Sequence, residues 1–126
     1  CDTVALSLPE TPETAGMFNE ARLRMMKKNA VLINVGRGSA IDTEALLKVT
    51  NEGWFRAVYL DVTDPEPIPL NHPLWNTERI HITPHISGGS FSNIIRGTLL
   101  KVVTNNLSLV SQGKPPVHIV DRKLGY

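Results

Sequence analysis

The chain of 126 residues has one cysteine, Cys1, and almost no net charge. A single thiol excludes an internal disulfide framework and suits a reducing compartment, expected to be the cytoplasm. A formal charge of +1 gives no electrostatic footprint for nucleic acid or for an acidic membrane surface, and neither is expected as a partner. No apolar run approaches the roughly 18 residues of a membrane span. Cys1 to Leu8 lack a basic segment followed by a long apolar one, so no signal peptide is visible. There is no internal repeat, no low-complexity segment, and no metal site is expected.

What is present suits a soluble globular protein: 41% hydrophobic and 20% charged residues, in a length typical of about one domain. Val4 to Leu8 is a short apolar run stopped by Pro9 and reads as a buried strand. Asn19 is an N-cap for a helix over Glu20 to Lys28, with Leu23, Met26 and Met25 on the buried side and Lys27 and Lys28 in the last turn. Ala30 to Val35 is a second strand. Asp42 or Thr43 caps a helix to Asn51 that turns Leu46, Leu47 and Val49 inward, and Gly53 stops it. Phe55 to Val62 and Arg79 to Thr83 are further strands, separated by a proline-rich stretch, Thr63 to Pro73, that cannot be regular. Ser90 opens a long helix to Gln112, about 33 Å at 1.5 Å per residue, ended by Gly113 and Pro115-Pro116.

Strands alternating with helices predict an α/β fold with a parallel sheet and right-handed crossovers. In such sheets ligands bind beyond the carboxyl ends of the strands. Three of the loops there each carry one chemically capable side chain: Arg37, Glu66 and His85. Arg37 stands between Gly36 and Gly38, which permit unusual backbone angles and close approach of a ligand, and its planar fork matches a carboxylate. Glu66 is flanked by Pro65 and Pro67, which stiffen the backbone beneath it. His85 follows Thr83-Pro84; an imidazole donates or accepts a proton near neutrality. Alone, Arg37 reads as readily as a surface arginine in a glycine turn, Glu66 more readily as an exposed acid in a proline-rich loop, and a lone histidine more readily as structural; His72, His81 and His118 are read as structural. Asp61 alone reads as a simple strand-end acid.

Taken together the motifs are more specific. Leu8-Pro9-Glu10-Thr11-Pro12-Glu13-Thr14, Asn34-Val35-Gly36-Arg37-Gly38, Leu60-Asp61-Val62 with Glu66-Pro67, His72-Pro73-Leu74-Trp75 and Ile82-Thr83-Pro84-His85-Ile86 occur in one order over most of residues 2 to 90. This pattern resembles the D-isomer-specific 2-hydroxyacid dehydrogenases. The resemblance implies hydride transfer between NAD or NADP and a 2-hydroxy or 2-keto acid. It implies that Arg37 binds the substrate carboxylate and carbonyl oxygen, that His85 is the acid/base, and that Glu66 orients His85 and stabilises its charged form. It also implies cofactor contacts at Leu8, Pro9, Thr14, Val35, Gly36, Arg37, Asp61, His85, Ser87 and Gly88, with Asp61 beside the nicotinamide amide. Trp75 and Ser87 are candidates for shaping the substrate pocket.

A dinucleotide fold opens with a turn of the G-x-G-x-x-G type. The chain has none; Gly36-Arg37-Gly38 is too short and has no third glycine. The expectation is therefore a partial Rossmann-like, doubly wound sheet that lacks its first βαβ unit. Residues 1–89 are read as the C-terminal half of the dinucleotide-binding domain, 90–113 as a connecting helix, and 114–126 as a tail returning to an absent substrate domain. The chain then belongs to a longer parent, expected to be a homodimer, and is inactive alone. Glyoxylate or hydroxypyruvate, bulkier 2-keto acids and 3-phosphoglycerate remain open as substrates. The alternative is a dinucleotide-sensing module, similar to co-repressor relatives of these enzymes, without metabolic turnover.

Overall fold

The computed structural model describes residues 1–89 and 92–124. The chain divides into two compact units, Cys1–Ser87 and Gly88–Tyr126. The first unit is built on four strands, β1 (Thr3–Leu6), β2 (Val31–Asn34), β3 (Ala57–Leu60) and β4 (Ile80–Ile82). They lie in the order β1-β2-β3-β4, and every neighbouring pair is parallel. The register stacks Val4, Leu32, Val58 and Ile80 in one row, and Leu6, Asn34, Leu60 and Ile82 in another two residues on. Side chains two apart along a strand share a face, and this face carries the core.

Helices α1 (Glu20–Met25) and α2 (Thr43–Asn51) pack against each other and supply the opposite wall of that core. Leu23, Leu32, Leu46, Val49, Phe55 and Val58 are all essentially inaccessible. Burial of each contributes about 1.5–3 kcal/mol. The intervening row, Ala5, Ile33, Tyr59 and His81, faces the other way; Ala5, Tyr59 and His81 are exposed there. Tyr59 and His81 stack with ring centroids 4.9 Å apart.

The caps are as the sequence indicates. Asn19 accepts from the Arg22 N–H, and of the two candidates for α2 it is Asp42 that accepts, from the Ala45 N–H at 3.0 Å. Gly53 ends α2 at φ +75°. Helix α1 stops earlier than expected. Met26 leaves the helix at φ −69°, ψ 150°, and Asn29 turns at φ +62° so that its N–H reaches the Trp54 carbonyl. This brings the chain directly into β2. Two expectations fall with it. Met25 is 83% exposed, while Met26 packs against the core. Lys27 and Lys28 lie past the helix: Lys27 pairs with Asp2 at 3.0 Å, and the Lys28 ammonium sits 5.2 Å from the centre of a Trp54 ring. All four strands are also shorter than the apolar runs that mark them, because pairing ends where the loops diverge.

In the second unit, α3 (Asn93–Ser111) extends about 28 Å at 1.5 Å per residue and has no buried residue. Its expected first residue, Ser90, lies outside the described residues; Ser92 is the N-cap. Gly113 at φ +70° ends it. Asn106 then holds the returning tail, donating to the Val117 carbonyl at 3.0 Å and accepting its N–H at 2.9 Å. Among the described residues no helix is long and apolar enough to cross a membrane.

The glycines beside Arg37 have a different task from the one expected. Neither has positive φ. A Cβ on Gly36 would lie 2.6 Å from the Leu8 nitrogen, and one on Gly38 would lie 2.0 Å from the Thr63 oxygen. They let the loops after β1, β2 and β3 meet backbone to backbone. Gly38→Ala is therefore expected to destabilise the protein by at least about 1–3 kcal/mol, the usual cost of overpacking against backbone that cannot yield. Urea unfolding measures it, and an unchanged midpoint would contradict this packing.

Candidate active site

The carboxyl ends of the four strands open onto one edge of the first unit, and the loops there carry Arg37, Glu66 and His85. Two of these three meet. The His85 Nδ1 lies 2.7 Å from Glu66 Oε1, with both side chains nearly half exposed. The contact joins the loop after β4 to the loop after β3. Arg37 stands on the adjacent loop, after β2. Its guanidinium is exposed and donates to the Gly36 carbonyl at 2.9 Å, and it forms no ion pair among the described residues.

Each loop is fixed from below by a buried polar residue. Asn34, the last residue of β2, is 1% exposed. Its side chain accepts from the Gly36 N–H at 3.1 Å and donates to the Arg37 carbonyl at 2.9 Å. The backbone under Arg37 is thereby set. Thr43 ties α2 to the next loop by donating to the Asp64 carbonyl at 2.6 Å. In that loop the Thr63 hydroxyl donates to the Pro65 carbonyl, and the Asp64–Pro65 and Glu66–Pro67 bonds are both cis.

Asp61, immediately after β3, fixes the third loop. It is 6% exposed. Oδ1 accepts the Thr83 hydroxyl and the Ile86 N–H, and Oδ2 accepts the Ser87 N–H at 2.8 Å. Hydrogen bonds to an ionised group are worth about 1.5–3 kcal/mol each. Burial pushes the Asp61 carboxyl up, but the Ser87 side chain, the Thr83 hydroxyl and the backbone N–H groups of Ser87 and Ile86 outweigh it and hold the group well below the usual carboxylate range. The bland reading of Asp61 as a simple strand-end acid gives way to a buried, hydrogen-bonded anchor.

Beside the His85–Glu66 pair is a cavity of about 260 Å³. Pro67, Ile68, Trp75, Ile82 and Pro84 give it an apolar wall, and Asp61, Thr63, Glu66, Thr83 and His85 a polar one. Trp75 is steadied by its indole N–H, which donates to the Pro69 carbonyl at 2.9 Å. Ser87, the other candidate for shaping the pocket, does not line this cavity. Of the residues tied by resemblance to a cofactor, Leu8, Pro9, Val35, Gly36, Asp61 and Ser87 follow the strands at this same edge. Thr14 is further out in the first loop, where its hydroxyl donates to the Pro9 carbonyl at 2.7 Å. Gly88 falls in the second unit. Of the histidines read as structural, His72 accepts from the Leu74 N–H with Nδ1, His81 is exposed on β4, and His118 lies in the second unit at φ +57°. Sequence reasoning missed the work of Asn34 and Thr83. The signal was there in Asn34, a polar residue closing an otherwise apolar strand.

The chain is similar to known proteins. Residues 1–87 match the family model of the D-isomer specific 2-hydroxyacid dehydrogenase, NAD binding domain. Glyoxylate reductases from Thermofilum pendens and Pyrococcus horikoshii are each 40% identical over 123 residues, covering 98% of this chain and 36% of their own length. The chain thus spans about a third of these curated relatives. Among solved structures, a D-isomer specific 2-hydroxyacid dehydrogenase from Xanthobacter autotrophicus Py2, in complex with NADPH and MES, superposes with a TM-score of 0.87 at 34% identity, covering 99% of this chain and 50% of that one. An NADPH-dependent glyoxylate/hydroxypyruvate reductase from Sinorhizobium meliloti, in complex with NADP and sulfate, gives a TM-score of 0.84 at 29% identity, covering 99% and 40%.

The state of Asp61 makes an acid-side prediction. A carboxyl held below its unfolded value contributes stability that is fully present above about pH 4, the unfolded range of aspartate, and is lost as pH falls through the lower folded value. Wild type is expected to exceed Asp61→Asn in stability at pH 6, with the gap narrowing steadily below about pH 4. Denaturant titrations at several pH values measure it, and a gap that stays constant down to pH 2 would contradict the assignment.

Proposed function

The chain belongs to the D-isomer specific 2-hydroxyacid dehydrogenase family, and from that premise we propose that it supplies the acid/base and substrate-anchoring part of an NAD(P)-dependent oxidoreductase acting on a 2-hydroxy or 2-keto acid. The observation that carries this is the 2.7 Å contact between His85 Nδ1 and Glu66 Oε1 at the carboxyl ends of a parallel sheet, one loop from an exposed arginine. The two reductases at 40% identity favour glyoxylate among the possible substrates.

The residues divide the work by their chemistry. Glu66 engages Nδ1 and so fixes the tautomer and direction of the ring, leaving Nε2 for the substrate. In the reducing direction His85 gives the Nε2 proton to the carbonyl oxygen, and in the oxidising direction it takes the proton back. Arg37 pairs its fork with the substrate carboxylate and lies against the carbonyl oxygen. The residues present fit the nicotinamide end of a dinucleotide. Val35 and Ile86, 39% and 56% exposed, offer apolar surface to a flat ring at the strand ends, and Leu8, Pro9, Gly36 and Ser87 border it. When bound, the nicotinamide supplies or accepts the hydride. The phosphates have no matching cradle, since the 126 residues contain no G-x-G-x-x-G turn. We therefore place the chain in a longer dehydrogenase, with α3 and the tail leading back to a substrate domain.

In that longer protein His85→Ala is expected to lower kcat by about 10²–10⁴-fold with little change in substrate KM, the range for a lost general acid–base. Arg37→Ala is expected to raise KM and lower kcat together, because the substrate carboxylate loses its partner. Parental turnover in both variants would overturn the assignment. For the 126 residues alone, calorimetry is expected to find no dinucleotide binding tighter than about 10 μM, a free energy of roughly −7 kcal/mol. Tighter binding would show that the chain holds a phosphate site of its own.

A further inference from the structure

A buried amide governs the loop that carries Arg37. Asn34 closes β2 and is 1% exposed. Burying an amide costs free energy unless it is hydrogen-bonded, and both ends of this one are engaged by the residues just beyond it. Oδ1 accepts the Gly36 N–H at 3.1 Å, and Nδ2 donates to the Arg37 carbonyl at 2.9 Å. The first bond is the turn that asparagine side chains form with the backbone two residues on. The second extends the grip by one residue. Between the two gripped groups lies a single peptide unit, the one joining Gly36 to Arg37. Its carbonyl is the group on which the Arg37 guanidinium rests, at 2.9 Å. Asn34 thus holds the chain on both sides of the guanidinium's seat.

The neighbouring residues have other supports. The Val35 N–H donates to the Leu6 carbonyl at 2.9 Å, a bond between strands that does not involve the amide. Past Arg37 the chain enters a short 3₁₀ turn, Gly38–Ala40, and the Ala40 N–H also reaches the Arg37 carbonyl, at 3.2 Å. Apart from the Arg37 guanidinium itself, Asn34 is the one side chain among the described residues that hydrogen-bonds the backbone of Gly36 or Arg37. The apolar surface that Val35 offers a flat ring and the fork that Arg37 offers a carboxylate are therefore held by different groups. The amide serves the second.

We propose that Asn34 is a positioning residue for the substrate: it sets the Arg37 guanidinium in the direction from which two parallel hydrogen bonds to a carboxylate can form, and it acts through Arg37. This rests on the reading of Arg37 as the substrate anchor.

The test uses the longer dehydrogenase with glyoxylate. Asn34→Ala is expected to lower kcat/KM on the order of 10²-fold, the cost of misplacing a group by about 1 Å. The loss is expected in KM as well as in kcat, as for Arg37→Ala. The Kd of the reduced dinucleotide, read by nicotinamide fluorescence, is expected to stay within about threefold. The decisive variant is double. Residues that act as a unit are non-additive, so in an Arg37→Ala background Asn34→Ala is expected to cost less than about threefold more. Asn34→Ser serves if Asn34→Ala does not fold. Its shorter side chain can still accept from the Gly36 N–H and no longer reaches the Arg37 carbonyl. It is expected to lose about tenfold in kcat/KM, roughly one hydrogen bond, and again little more beside Arg37→Ala. A parental kcat/KM in the variant that folds, a double variant whose loss is the product of the single losses, or a loss confined to cofactor affinity would overturn the proposal. The guanidinium ¹⁵N resonance provides a readout without turnover: the Arg37 Nε signal is expected to shift in either variant, and an unchanged signal would overturn the proposal too. A wild-type protein that reduces no 2-keto acid, or parental turnover in Arg37→Ala, would refute the anchor reading instead. The Arg37 resonance would then decide whether Asn34 holds the guanidinium.

Discussion

The geometry of the candidate site depends on one buried carboxylate. Asp61 sits where β3 ends, in a place apolar enough to penalise its charge, and it stays ionised because donors from the loop after β4 converge on it. Those donors hold the residues on both sides of His85, while Glu66, further along the Asp61 loop, takes the ring nitrogen. These hydrogen bonds help to offset the left-handed backbone at His85. The cost of such a conformation is about 1–3 kcal/mol, and charge-assisted hydrogen bonds of about 1.5–3 kcal/mol each exceed it.

The same logic repeats one strand away. Asn34 does for Arg37 what Asp61 does for His85: a buried polar side chain at a strand end takes hold of the loop that follows. Gly36 and Gly38 let these loops touch through their backbones, against Leu8 on one side and Thr63 on the other. Thr43 adds a tie from α2 to the Asp64 carbonyl. The loops after β1, β2 and β3 are therefore one platform rather than separate tethers. The exposed groups on it, Arg37, Glu66 and His85, owe their positions to groups that solvent barely reaches.

Much of this was legible in the sequence. Continuous apolar runs marked the strands of a parallel sheet, and the caps, Asn19 and either Asp42 or Thr43, and the stop at Gly53 marked helix ends, because each signal is local. The loops behind three strands pointed Arg37, Glu66 and His85 to one edge by topology alone. What escaped depends on contacts between distant segments. Helix α1 ends early since Asn29 must reach the Trp54 carbonyl. The glycines beside Arg37 looked like room for a ligand, and their neighbours are backbone atoms of Leu8 and Thr63. Asp61 looked like a strand-end acid because its donors lie more than twenty residues away.

Amide hydrogen exchange resolved at Ile86 and Ser87 tests the central claim most directly. Ile86 is 56% exposed, and the segment lies beyond the last strand, so burial alone gives these amides little protection. If the Asp61 carboxylate holds them, they exchange as slowly as amides of the sheet, such as those of Val58 and Thr83. Exchange at the rate of a free loop, with the sheet amides still protected, would contradict the account.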